Sequence, residues 1–252
     1  MLVLLVRHGQ ASFGDDDYDR LSPLGERQAC SLGHWWAQGG DGLHGGPAAA
    51  WHGGLQRQRR TAELCLAAAA QAVPNGPSPS RAGAAGTVLR LDADWREYDH
   101  RGIFFAAHPH LRDPATLQAW MARPGDYPAR FQAAWGEALS RWLSGRYARD
   151  YAETWADLGR RVQSALQRLA GSLPPAGSHA EPVAAVFTSA GPISAVLQGV
   201  LGLSDGEAIA LQQDLRNTGV TRLRGGGDAP WQLVRQNDTA HLLAADVPAS
   251  HR

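Results

Sequence analysis

The chain has 252 residues, enough for one large domain or two small ones with a sizeable core. Lys+Arg and Asp+Glu both total 24, and this zero net charge argues against broad electrostatic binding to nucleic acid or to an anionic membrane. No lysine occurs, which excludes Schiff-base chemistry and a phosphate-loop lysine and leaves arginine, the better planar fork for phosphate, as the only strong cation.

The apolar run at residues 2–6, LVLLV, is too short for a helix and reads as a central strand. It has no basic residue before it and Arg7 directly after it, so it is not a secretion signal. SPLGERQACSLGHWWAQ reads as a helix, with Ser22 as its cap and Pro23 just inside its start. A second strand is expected over 48–52, a helix over 57–70, and a Pro/Gly/Ser-rich loop over 72–86. LRLDADW at 89–95 alternates as a strand does. Residues 113–171 read as helical, with Trp120, Trp135, Trp142 and Trp155 as core or lid packing and not as a cofactor box. A linker follows at 172–182. The buried strand VAAVF at 183–187 then breaks at Thr188–Ser189–Ala190–Gly191–Pro192 before another helix. VTRLR at 220–224 and WQLVRQN at 231–237 flank a Gly-rich turn and predict a closing hairpin. This alternation predicts a single α/β domain over 1–252, a three-layer α/β/α sandwich on a mostly parallel sheet, with a helical lid inserted at about 100–150. No apolar run is long enough to span a membrane. Cys30 and Cys65 read as two reduced packing cysteines, consistent with a cytoplasmic protein.

The chemistry concentrates at strand ends, where α/β proteins collect ligands. In LLVRHGQ a buried strand runs straight into a cation, an imidazole and a glycine. Arg7 can hold two phosphate oxygens in a fork. His8 can attack phosphorus if its other ring nitrogen is oriented by a carbonyl. Gly9 is expected to let the backbone approach the phosphate. LQRQRRTAEL places Arg57 at a helix N-terminus, a natural anion site. WREYDHRG offers Glu97 beyond the third candidate strand.

These stretches resemble the histidine phosphatase (phosphoglycerate mutase-like) superfamily. The resemblance runs through LVRHGQAS, SPLGERQA, LQRQRRTAE, Glu97, TWADLGRRVQSAL, NTGVTRL and NDTAHL, and so covers most of the chain. It implies that His8 is a nucleophile that becomes phosphorylated, that Arg7 and Arg57 bind the phosphoryl group, and that Glu97 protonates the leaving group. Asp94, Asp99 and Glu63 are the alternative acids, and Arg59 and Arg60 read as solvated helix charges. Such proteins usually carry a second histidine after the strand matching VAAVF. Here Ser189 occupies that place, as an expected phosphate ligand able to donate one hydrogen bond but carrying no charge. Its neighbours do not form a G-x-S-x-G elbow, so a serine-hydrolase reading has little support.

Among the other histidines, His241 follows the last strand, while His100, His108 and His110 follow Glu97. The HPH spacing matches no zinc pattern, and GDDDYD at 14–19 lacks the glycine and distal glutamate of a calcium loop. The expectation is a phosphatase that hydrolyses a phosphate monoester through a phosphohistidine on His8. It would need no metal or organic cofactor, act on a small phosphorylated substrate, and bind neither nucleic acid nor membrane. The competing reading is a non-catalytic pseudophosphatase that keeps the pocket. A mutase is disfavoured, because RHGQAS lacks the longer R-H-G-E-S-x-W-N pattern and the second histidine is missing.

Overall fold

A computed structural model describes residues 1–12, 19–71, 87–172, 181–227 and 229–251. The expected loop at 72–86, most of the linker and most of the acidic GDDDYD stretch lie outside the described residues. The chain divides into two compact units, residues 1–97 with 161–252, and residues 98–160.

The first unit is built on a six-stranded sheet. Its strands are β1 (Leu2–Arg7), β2 (Ala49–His52), β3 (Leu89–Leu91), β4 (Val183–Thr188), β5 (Val220–Gly226) and β6 (Ala229–Asp238), in the order β3-β2-β4-β1-β5-β6. β3, β2, β4 and β1 run parallel, and β5 and β6 add an antiparallel hairpin to β1. The sheet is therefore mostly parallel, with the predicted closing hairpin on one edge. The carboxyl ends of β1, β2 and β4 fall together, because Arg7 pairs with Thr188 and His52 with Phe187.

Helix α1 (Pro23–Ala37) starts as the sequence predicts, with Ser22 Oγ accepting from Gly25 N and Pro23 at the first helical position. It and α2 (Gln56–Gln71) cover one face of the sheet. Leu2, Leu4, Val6, Ala185 and Phe187 pack there against Leu32, Trp36, Ala62 and Cys65. Val3, Leu5, Ala184 and Val186 point the other way and are equally buried. Cys30 and Cys65 are free thiols, and burial pushes both pKa values up, most strongly at Cys65.

Three local readings needed the structure. The strand expected over 89–95 stops at Leu91, because the Asp92 carboxylate accepts from Asp94 N and turns 93–95 into a 3-10 turn that buries Trp95. The helix in the first unit after α6 (Trp155–Ser172) and α7 (Ala190–Leu201) is α8 (Asp205–Asp214), which opens on a capping box between Ser204 and Glu207. The last is the short α9 (Ala240–Ala244).

The second unit carries α3 (His100–Ala107), α4 (Pro114–Met121) and α5 (Tyr127–Leu143). The helical stretch expected over 113–171 is thus broken around Gly125 and Gly145, both at positive φ, and Asp113 and Asp126 cap the helices that follow them. Trp120, Trp142 and Trp155 are buried packing residues. Phe104 meets Trp120 edge-on at 6.2 Å, and Trp142 meets Trp155 likewise at 5.6 Å. No helix among the described residues is long and apolar enough to cross a membrane.

Two tight points follow from this packing. At Gly25 a Cβ would run into the Gln10 carbonyl, and at Gly9 it would lie 2.5 Å from the Gly25 carbonyl. The loop after β1 therefore depends on two facing glycines, and close approach to α1 is what Gly9 supplies here. Gly25→Ala should lower unfolding free energy by about 1–3 kcal/mol, the usual scale of overpacking, as read by denaturant titration. An unchanged midpoint would contradict the contact.

The second point is His241 on α9, which is only 2% exposed and meets Thr218 Oγ1 through Nε2 at 2.9 Å. Burial pushes its pKa down to about 4, with Asp238 acting in the opposite direction. The unfolded chain therefore takes up this proton at higher pH than the folded one. The stabilisation is present above the ordinary value of 6.5 and is lost as pH falls toward 4. Between pH 7 and pH 5 this one group should remove about 2 kcal/mol of stability. His241→Gln should flatten that part of the pH–stability curve, and an equally steep curve in the variant would refute the assignment.

Candidate active site

His8 follows β1 directly and is locked at three backbone points. Its N–H donates to Thr188 O at 2.9 Å, its carbonyl accepts from Asn217 Nδ2 at 3.0 Å, and its ring Nδ1 lies 2.8 Å from Gly9 O. A carbonyl only accepts, so Nδ1 carries the proton. The other nitrogen, Nε2, then holds a lone pair, and Arg57 Nε donates to it at 3.2 Å. His8 is 5% exposed and Arg57 7%. The orienting carbonyl expected from the sequence is thus that of Gly9, the next residue along.

Arg57 sits in the first turn of α2. Its Nη1 donates to Asp19 Oδ1 at 2.9 Å, while Asp19 Oδ2 accepts from Gln56 N at 2.7 Å. Arg57 thus lies at the helix N-terminus, and the Asp19 carboxylate caps that terminus. Arg7 is placed differently. Its guanidinium donates to the carbonyls of Leu215 and His251, the latter at 3.2 Å.

Glu97 and Ser189 meet the start of α7. Glu97 Oε2 accepts from Gly191 N at 3.2 Å. Ser189 has no solvent exposure, and its Oγ accepts from Gln58 Nε2 at 2.8 Å. The alternative acids are engaged elsewhere. Asp94 pairs with Arg168 at 2.6 Å, Glu63 pairs with Arg59 at 2.7 Å, and Asp99 caps α3 through Gly102 N. Arg60 pairs with Glu26, so Arg59 and Arg60 are surface ion-pair partners lining an open cleft of about 440 Å³ beside the start of α2. His108 lies against Ala134 O, and His100 stacks on Trp135.

Sequence reasoning missed the residues that hold the site together. Thr61 Oγ1 accepts from Gly9 N at 3.0 Å. Gln28 Oε1 accepts from Gln10 N, and Gln28 Nε2 donates to Ser250 Oγ, which in turn donates to Asn217 Oδ1. Asn217 then reaches the His8 carbonyl. Gln28, Gln58, Thr61 and Asn217 are all fully buried, and a buried polar side chain needs such partners. The signal was a polar residue at an apolar-face position: Gln28 and Gln58 both fall on the inward faces of their helices.

Several solved structures share this fold. A mycobacterial glucosyl-3-phosphoglycerate phosphatase matches with 21% identity and a TM-score of 0.58, over 94% of this chain and 98% of that one. A phosphoserine phosphatase variant from Entamoeba histolytica in complex with phosphoserine matches with 17% identity and a TM-score of 0.58, over 96% and 98%. A phosphoglycerate mutase from Bacillus anthracis matches with 13% identity and a TM-score of 0.59, over 97% and 96%. No curated protein sequence matches the chain significantly. The sequence-family model for the histidine phosphatase superfamily (branch 1) matches residues 84–239, more than half of the chain and a span that includes Glu97, Ser189 and Asn217. The chain therefore belongs to the histidine phosphatase superfamily.

Proposed function

We propose that the chain hydrolyses a phosphate monoester through a phosphohistidine at His8. The observation that carries this reading is the ring geometry: Nδ1–H is held on the Gly9 carbonyl, so the Nε2 lone pair faces the cation that would receive a phosphoryl group. In the first step Nε2 attacks phosphorus while the bond from phosphorus to the leaving oxygen breaks. Glu97 gives that oxygen its proton. The charge that develops on the imidazole is shared with Nδ1–H, against Gly9 O. In the second step Glu97 takes a proton from water, the water oxygen bonds to phosphorus, and Nε2 leaves as the neutral base. The protein's part is positioning and charge stabilisation, as phosphoryl transfer requires.

The geometry favours Arg57 as the principal phosphoryl-binding cation. Arg7, which spends two of its five N–H groups on the carbonyls of Leu215 and His251, is the second. Ser189 was expected to donate to the phosphoryl group. Its Oγ accepts from Gln58, which ties β4 to α2 and keeps the hydroxyl proton for a phosphoryl oxygen. Two of the similar structures are named as phosphatases of small phosphorylated compounds, and the substrate class proposed for this chain is the same. A second reading, a site that binds phosphate without turnover, draws on the neutral Ser189 where the resemblance expects a charged donor. Release of inorganic phosphate from a generic ester separates the two.

His8→Ala should abolish hydrolysis of an aryl phosphate while leaving the circular dichroism and melting transition near wild type. Undiminished turnover would overturn the assignment. Glu97→Gln should slow alkyl phosphates, whose leaving oxygen needs a proton, far more than nitrophenyl phosphate. Equal loss on both substrates would make Glu97 a structural residue.

A further inference from the structure

We propose that Asp19 is a positioning residue for phosphoryl binding, acting through Arg57; the inference rests on the phosphatase reading above. Its two oxygens are used separately. Oδ2 is anchored to the backbone by Gln56 N at 2.7 Å, and Oδ1 takes Arg57 Nη1 at 2.9 Å with Arg57 N nearby at 3.4 Å. An arginine side chain has several rotatable bonds and loses substantial entropy when fixed. Here a carboxylate tethered to the first turn of α2 holds one edge of the guanidinium, while Nε points at His8 Nε2. The chain of contacts runs from helix backbone to Asp19, then to Arg57, and ends on the nucleophile.

The same arrangement says what must move. The Nε2 lone pair that attacks phosphorus is covered by Arg57 Nε–H in this structure, so the guanidinium has to release His8 when a phosphoryl group arrives. With Nη1 still on Asp19, Arg57 turns about that anchor and brings its remaining N–H groups to the phosphoryl oxygens. Asp19 is thus the pivot, and the arginine is delivered in a set orientation.

A simple electrostatic role and the pivot predict opposite signs. Removing a carboxylate beside an anion site strengthens anion binding if charge alone matters. Removing the pivot weakens it. Asp19→Asn keeps an oxygen able to cap α2, so the helix start is preserved. The probe is inorganic phosphate, with affinity read by calorimetry, so the result does not depend on turnover. Asp19→Asn should weaken phosphate binding about tenfold, the size of one hydrogen bond to a charged group. It should raise KM more than it lowers kcat, and it should have no further effect in an Arg57→Ala background. Asp19→Glu should recover part of the loss. Equal or tighter phosphate binding by Asp19→Asn, or the same loss in the Arg57→Ala background, would overturn the pivot. Failure of the wild-type protein to bind phosphate at all would instead sink the phosphatase reading on which the pivot rests.

Discussion

The arrangement of this molecule turns on one hydrogen bond, from His8 Nδ1 to the carbonyl of the next residue. It settles which ring nitrogen carries the proton and hence which one holds the lone pair. It also requires the backbone at Gly9 to turn back toward the ring, and that turn is held from four sides. Thr61 takes the Gly9 N–H, Gln28 takes the Gln10 N–H, Asn217 donates to the His8 carbonyl, and Gly25 lets α1 approach. The holders come from α1, α2 and the turn before β5. The sheet registers, the α1 and α2 packing and the turn before β5 all have to be right for one imidazole to be right.

That dependence explains what the sequence could and could not reveal. Short apolar runs, a Ser-Pro helix start and a Gly-rich hairpin are local signals, and β1, α1, β4 and the β5–β6 hairpin follow from them. β3 was overestimated because Asp92 redirects the backbone with its side chain, a competition that alternation of residue types does not register. α8 was legible in its S-x-x-E capping box but too weakly amphipathic to stand out. Within the site, Arg7-His8-Gly9, Arg57 and Glu97 were legible as residue types at strand ends. The contacts among them were not. Asn217 and His8 are 209 residues apart, and Gln58 and Ser189 are 131 apart, so their meeting depends on sheet register and not on spacing.

Ser189 combines a motif position with a structural tie. By resemblance it stands where a charged donor to phosphate is expected. By geometry it is a buried acceptor from Gln58, a residue on the same turn of α2 as Arg57. The pair ties the start of α7 to the start of α2, with the Glu97 carboxylate on the first turn of α7. Arg57, the cation against the His8 ring, is held by Asp19 on one edge and by His8 on the other.

The most direct measurement is to trap the covalent intermediate. The protein is mixed with an activated phosphate ester, quenched in alkali, digested and analysed by mass spectrometry, with phosphorus NMR to identify the bond. The account predicts one phosphoryl group on the peptide containing His8, attached through Nε2, stable in alkali and lost in acid. A phosphoryl group on Ser189, or steady release of phosphate with His8 never modified, would contradict it.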